Sequence, residues 1–287
     1  MPDVLYGMEP LPISVVVPVR NAERFLEECL ASVARQGPTE IVVVDGLSTD
    51  RTLEIASRYT DRVLSDDGRG VAAARRMGVA EASSRWVALV DADVVLPDGA
   101  LRRLFDEFQA GGYVGLQAGL NSVSGDGYWG RALVQHHRTG RSKNWFGLVA
   151  TLFERDAFLE IGLDEAFLSG EDIELRVRLE QAGARVAVSS RTEVIHRFGD
   201  SYEFAKGQWL ADGQGLARTV GKHGWRTAWL LVLPLAAAVR GIGLTLVRRQ
   251  PAWIPYYLFF LVFNYVGLVQ AARRRRRNQG GRTSARH

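Results

Sequence analysis

The sequence predicts an α/β fold: a mostly parallel sheet covered by helices on both faces, with two apolar helices after it. Three observations carry this expectation. Apolar runs of strand length alternate with helix-period segments over the first 110 residues. Those strands are nearly continuous Val, Ile and Leu instead of alternating apolar and polar, as strands buried on both faces are. Two long apolar stretches, 228–247 and 252–272, close the chain. At 287 residues and 47% hydrophobic content, the chain can bury one sizeable core plus an appendage, and it is too polar for a multi-span carrier.

In chain order, "ISVVVPV" (13–19) is followed by a helix over Asn21 to Gln36, and "EIVVVD" (40–45) by one over Asp50 to Tyr59. "RVLS" (62–65) then precedes a helix over Val71 to Ala82, and "WVALVDAD" (86–93) one over Asp98 to Gln109. "YVGLQAGL" reads as a strand before a Gly/Ser/Asp loop at 121–127, while the aromatic and basic stretch Tyr128 to Trp145 shows no decisive period. "GLVATLF" is a strand, with a short helix near 155–161 after it. In "EDIELRVRLEQAG" the length, the Glu/Leu/Arg content and the closing Gly183 favour a helix. Strands near 184–189 and 192–196 and an amphipathic stretch over 201–227 lead to the apolar pair.

Charge narrows the partners. The net +4 conceals seven arginines and no acid in the tail 273–287, so the rest of the chain is net negative. An "RRRRR" run placed directly after a long apolar segment points to a membrane surface and not to nucleic acid. The single cysteine, Cys29, is expected to be a buried hydrophobe. The N-terminal "MPDVLYGMEPLP" has no basic-then-apolar pattern of a signal peptide.

The chemistry concentrates in "RWVALVDADVVLP" (85–97), where a buried strand runs into Asp91 and Asp93. Ligands of parallel sheets sit at the carboxyl ends of strands, and Asp45 falls at another such end. Two aspartates one residue apart are hard oxygen ligands suited to Mg²⁺ or Mn²⁺ with a diphosphate. A lone D-x-D is weak evidence, because a solvated turn looks the same.

It stands within five ordered blocks, as part of the third: "SVVVPVRNAERFLEECLASVARQ", "IVVVDGLSTDRT", "GVAAARRMGVAEASSRWVALVDADVVL", "IGLDEAFLSGEDIELRVRLEQAG" and "TEVIHRFG". Together they resemble the family 2 glycosyltransferases, which have the GT-A fold, over about Ile13 to His196. The resemblance implies that Pro18, Arg20, Asp45, Asp91 and Ala92 contact a nucleotide-sugar donor and that Asp93, with Asp91, holds Mn²⁺ or Mg²⁺. Arg75 is either a donor contact or a helix surface charge, and His196 either a further metal ligand or a core histidine. Asp172 is implied to be the general base, with Glu171 beside it as a positioning neighbour. Asp45 and Asp50 also suit turn formation and helix capping. The Q-x-x-R-W block of processive polysaccharide synthases is missing around Gln208 and Trp209, which favours transfer of one sugar.

The expected organisation is a catalytic domain over 1–200, with a nucleotide-sugar half (about 11–110) and an acceptor half (about 111–200). A juxtamembrane segment (201–227), two transmembrane helices within 228–272 and a basic tail (273–287) follow. The expected activity is inverting, metal-dependent transfer of one sugar to a lipid-linked acceptor at the cytoplasmic face of the cell membrane. Its rivals are extension of a glycolipid or oligosaccharide-lipid, and a noncatalytic nucleotide-sugar-binding subunit.

Overall fold

The computed structural model describes residues 10–140 and 145–284. Residues 1–9, where a leader was sought, lie outside them, as do residues 285–287 of the basic tail. In chain order the elements are β1 (Leu11–Val19), α1 (Leu26–Ala34), β2 (Pro38–Asp45), α2 (Thr52–Ala56), β3 (Val63–Ser65) and α3 (Val71–Glu81). Then come β4 (Trp86–Val90), β5 (Val94–Val95), α4 (Ala100–Gly111), β6 (Gly115–Ser124), α5 (Tyr128–Thr139), β7 (Ala150–Glu154) and α6 (Arg155–Ile161). The last are α7 (Glu171–Gln181), β8 (Val186–Phe198), α8 (Tyr202–His223), α9 (Leu233–Val247) and α10 (Ile254–Ser284). They form two compact units: Met1–Asn121 with Phe146–Glu165 and Leu179–His196, and Ser122–Trp145 with Ala166–Arg178 and Arg197–His287.

The first unit is built on a sheet of order β3-β2-β1-β4-β7-β6-β8-β5. Its β3, β2, β1 and β4 are parallel, whereas β7 runs antiparallel to β4, β6 to β7 and β5 to β8. Register aligns Val19 with Asp45 and Asp45 with Ser65, so the carboxyl ends of the parallel strands share one edge. The near-continuous apolar runs are buried as expected of strands covered on both sides: Ile13, Val15, Val16, Val17, Val42, Val43 and Val44 have no exposed surface. Cys29 is likewise fully buried.

Several boundaries differ from the sequence pattern for local reasons. The helix expected from Asn21 begins only at Leu26, because residues 21–23 bond the next turn instead of their own helix. Asn21 adopts a left-handed φ of 48° and accepts from Thr49 N through its side chain. Ala22 N donates to Thr52 Oγ1 and Glu23 N to Asp50 Oδ2. The helix expected over 50–59 shrinks to α2: Asp50 Oδ1 accepts from Thr52 N and Thr52 Oγ1 at its start, and past Ala56 the backbone tightens into turns, with Arg58 N donating to Ile55 O and Tyr59 N to Ala56 O. The two short strands expected over 184–196 are one strand, β8, and the stretch 128–139 that showed no decisive period is α5.

The second unit is helical. Its core joins Leu133 of α5, Phe198, Trp209 of α8, Ala238 of α9 and Tyr256, Tyr257 and Phe260 of α10. Each large side chain fully buried there contributes roughly 1.5–3 kcal/mol relative to exposure. The apolar stretch 228–247 is not one α-helix: a 3₁₀ segment, Gly224–Val232, leads into α9, because Pro234 lacks the N–H that would continue the ladder. The α9 and α10 helices pair antiparallel, with Gly241 against the Tyr257 ring and Tyr265 Oη donating to Leu231 O. Two helical stretches, Tyr202–Val247 and Pro251–Arg274, contain windows apolar and long enough to cross a membrane by length and composition. The hairpin exposes one apolar stripe per helix, Leu235, Val239 and Leu246 on α9 and Leu258, Val262, Val266 and Val269 on α10.

Candidate active site

In the first unit Asp91 and Asp93 sit just past the end of β4. The β4 strand stops at Val90, and residues 91–94 form a turn closed by Val94 N donating to Asp91 O, while Asp91 N donates to Val149 O. The turn then re-enters the sheet as β5, whose register sets Val94 opposite His196 of β8. That register explains the side-chain grouping. Arg75 Nη2 donates to Asp91 Oδ1 at 2.5 Å, and His196 Nε2 lies 3.5 Å from Asp93 Oδ2.

Arg75 is therefore not a surface charge: its side chain is 5% exposed, and α3 delivers it beneath the turn. Burial raises the pKa of Asp91, Arg75 opposes that rise and Asp93 adds to it. Burial disfavours a charged His196, yet its bond to Asp93 and the two carboxylates outweigh burial and raise its pKa.

Asp93 Oδ1 is buried and accepts no hydrogen bond among the described residues, and the same holds for Asp45 Oδ1. An unsatisfied buried carboxylate oxygen is costly, so each is an acceptor open to a water, a cation or a ligand group. The other Asp45 oxygen accepts from Ser48 N at 3.0 Å, so the turn and the open acceptor coexist. Asp50, by contrast, is spent on Glu23 N, Thr52 N and the Thr52 hydroxyl. Pro18 and the exposed Arg20 stand at the same strand edge, with Arg20 against Gly46. Ala92 lies in the turn between the aspartates.

One residue of this edge was missed. Asp66, almost wholly buried, accepts from Gly68 N and Gly70 N and donates its own N–H to Asp45 O. It shapes the loop "DDGRG" beside Asp45; the Asp-Gly pair was the available signal.

Does this set fit a divalent cation? Among the described residues no group of three or more His, Cys, Asp and Glu is gathered as a ready cage. Asp93 offers a hard, open oxygen, while one Asp91 oxygen is committed to Arg75. The fit is that of a cation held by Asp93 and completed by oxygens of a ligand.

In the second unit, Glu171 and Asp172 open α7, where the helix dipole favours acids. Gly170 before them has φ 73°, and a Cβ there would come 2.5 Å from Gly215 Cα, so only glycine lets α7 meet α8. Ser169 Oγ donates to Ala211 O at the same crossing. Two residues further, Glu174 is fully buried and gathers Arg178 Nε at 3.0 Å, Lys222 Nζ at 2.9 Å and His223 Nε2 at 3.0 Å. Asp212 on α8 was not foreseen: the protein around its carboxyl group and, second, the charge of Asp172 push its pKa up to about 7. Asp212 is open to solvent, which screens part of this effect; the repulsion from Asp172 remains.

Residues 14–161, half of the chain, match the family described as Glycosyl transferase family 2. The chain belongs to that family. A relative, the succinoglycan biosynthesis protein ExoA of Rhizobium meliloti (strain 1021), is 31% identical over 258 residues, covering 80% of this chain and 76% of its own. ExoO of the same organism, also a succinoglycan biosynthesis protein, is 30% identical over 206 residues, 63% of this chain; the chain spans only 59% of that relative's length. In structure it resembles the mannosyltransferase PcManGT from Pyrobaculum calidifontis, solved with GDP-Man and Mn²⁺. The TM-score is 0.63 at 18% identity, with 93% of this chain and 91% of that one covered, a likeness of fold. The sheet of the first unit is thus the GT-A sheet of a family 2 glycosyltransferase, as the ordered sequence blocks implied.

Proposed function

We propose that this glycosyltransferase moves a single sugar, with inversion, from a nucleotide-sugar donor to a lipid-linked acceptor at the cytoplasmic face of the cell membrane. The observation that carries the donor side is the buried, open Asp93 oxygen in the turn after β4, beside the Arg75–Asp91 pair and His196. Asp45, Pro18, Arg20 and Ala92, at the same strand edge, line the nucleotide. Arg75 fixes Asp91 so that its remaining oxygen faces the donor.

Asp93 would hold Mn²⁺ or Mg²⁺, with Asp91 and His196 adjoining. Such an ion supplies neutralisation of the leaving diphosphate. On the acceptor side Asp172 takes the proton of an acceptor hydroxyl as its oxygen bonds to the anomeric carbon and the nucleoside diphosphate departs. Glu171 holds Asp172 in place, and Asp212 keeps its neighbour's electrostatics tuned.

The membrane reading is supported by the exposed stripes of the α9–α10 hairpin and by the arginines that follow it. The α8 helix lies lengthwise on α10 and carries Glu203, Lys206, Asp212, Arg218 and Lys222. Charged side chains in the bilayer centre cost about 2.5–3.5 kcal/mol each on insertion scales. The hairpin therefore attaches through its outward stripes at the interface, with α8 on the aqueous side.

The test is to incubate membranes carrying the protein with a panel of labelled nucleotide sugars, with and without Mn²⁺, and to extract the lipid fraction. One sugar should label the lipids in a metal-dependent way. Label confined to water-soluble polymer, or no label at all, would overturn the reading.

A further inference from the structure

The α8 and α10 helices run side by side in a constant register. Tyr202 packs edge-on against Phe259, Lys206 lies over Phe263, Gly267 meets Leu210, and Gln214 donates to Gln270. These four residues of α8 meet ones 56 or 57 positions later, and the next step of that register brings Arg218 towards Arg274, whose charge acts on it. Glycine makes the contact close: a Cβ on Gly213 would lie 1.9 Å from Asn264 O.

The result is two guanidinium groups together. Arg218 is half-buried, and its Nη1 is buried with no hydrogen-bond partner among the described residues. Neither arginine forms an ion pair with an acid among the described residues; Glu174, the buried acid of α7 that faces α8, is already shared by Arg178, Lys222 and His223. Burial and, second, the charge of Arg274 lower the pKa of Arg218, as expected of like charges held together. A planar guanidinium with an open, desolvated N–H beside a second, exposed one matches the oxygens of a phosphate, which either arginine can bind bidentately.

We propose that Arg218 and Arg274 form a binding site for the phosphate of the lipid acceptor. The inference rests on the reading of a lipid-linked acceptor and adds which residues hold its anionic group. Arg218 lies six residues along α8 from Asp212, roughly 9 Å of axial rise and about a third of a turn round the helix, and Asp212 is close enough to Asp172 for the two charges to repel.

The experiment uses the full chain in detergent, as wild type, Arg218→Gln and Arg274→Gln, with three probes: a short-chain prenyl phosphate, inorganic phosphate, and vesicles of phosphatidylglycerol or phosphatidylcholine. Both variants should bind the prenyl phosphate about tenfold or more weakly, as loss of a charged hydrogen bond implies. Donor binding should stay within about twofold of wild type. Arg274 is exposed, so Arg274→Gln keeps the test decisive should Arg218→Gln misfold. Prenyl phosphate binding equal to wild type in the folded variants would overturn the site. Loss confined to phosphatidylglycerol vesicles would assign the arginines to membrane headgroups, and inorganic phosphate bound as tightly as the prenyl phosphate would assign them to free phosphate; either result overturns the acceptor assignment. If the enzyme transfers sugar and both variants do so equally well, this site falls while the transferase reading stands. If no nucleotide sugar serves as donor but the variants still lose prenyl phosphate, the transferase reading falls and the site stands.

Discussion

Replacing Glu174 with Gln removes the charge that clasps α7 to α8, and the cost follows from the geometry around it. Its carboxylate is fully buried and meets Arg178, Lys222 and His223 at 2.9–3.0 Å. Removing one partner of a buried ion pair costs about 3–5 kcal/mol when the orphaned charges stay buried. Here the Arg178 and Lys222 side chains retain 27% and 37% exposure, so water can take them back. The expected loss at neutral pH is therefore lower, about 2–3 kcal/mol. Burial alone would raise the pKa of Glu174, but Lys222, His223 and Arg178 outweigh it and hold it below its ordinary 4.5. A depressed carboxylate stabilises the fold above its unfolded pKa and loses that contribution as pH falls through the folded value. The gap between wild type and Glu174→Gln should thus stay constant near neutrality and close below about pH 4.5. Urea unfolding followed by tryptophan fluorescence across about pH 3–8, with hydrogen exchange of the α7 amides, reads both effects. A loss under about 0.5 kcal/mol at neutral pH, the range of ordinary surface substitutions, or a gap that widens in acid, would refute the reasoning.

Other outcomes follow from single contacts. Gly213→Ala should destabilise by about 1–3 kcal/mol, because its Cβ meets Asn264 O, whereas Gly207→Ala, with open space around it, should be neutral or stabilising; thermal melts of the pair compare them. Arg75→Ala should raise KM for the donor far more than Arg75→Lys, since the lysine keeps a charge beside Asp91; equal effects in steady-state kinetics would remove the pair from donor binding. Asp172→Ala should leave donor affinity nearly intact while lowering turnover by about 100-fold or more, the usual worth of a general base. Titration showing the reverse would move Asp172 to the donor side. Val262→Asp on the outward stripe of α10 should release the protein from vesicles without lowering its stability; unchanged flotation would contradict attachment through that stripe.

The sheet was legible because its strands are long apolar runs whose burial on both faces leaves little choice of element. The residues proposed for the donor stood out by the same logic, since Asp45 and the Asp91–Asp93 turn follow such runs directly. Pairings that depend on three-dimensional register were not. That Arg75 reaches Asp91, and that Arg218 meets Arg274, is set by helix placement which no local pattern encodes. Helix starts failed where side chains captured the backbone, as Asp50 and Thr52 do for residues 22 and 23. The stretch 128–139 failed because α5 buries only a narrow face, Gly130, Ala132 and Leu133, so its apolar period is faint. Asp212 had no local signal, being a single acid on an amphipathic helix.

The claim at the centre is that the turn after β4 holds the donor diphosphate through Asp93. Calorimetric titration of the identified nucleotide sugar into wild type and Asp93→Ala, each with and without Mn²⁺, tests it most directly. Wild type should bind far more tightly with Mn²⁺, and a folded Asp93→Ala should bind weakly and equally with or without it, because nothing then offsets the diphosphate charge. Mn²⁺-dependent donor binding that survives in the folded variant would contradict the claim.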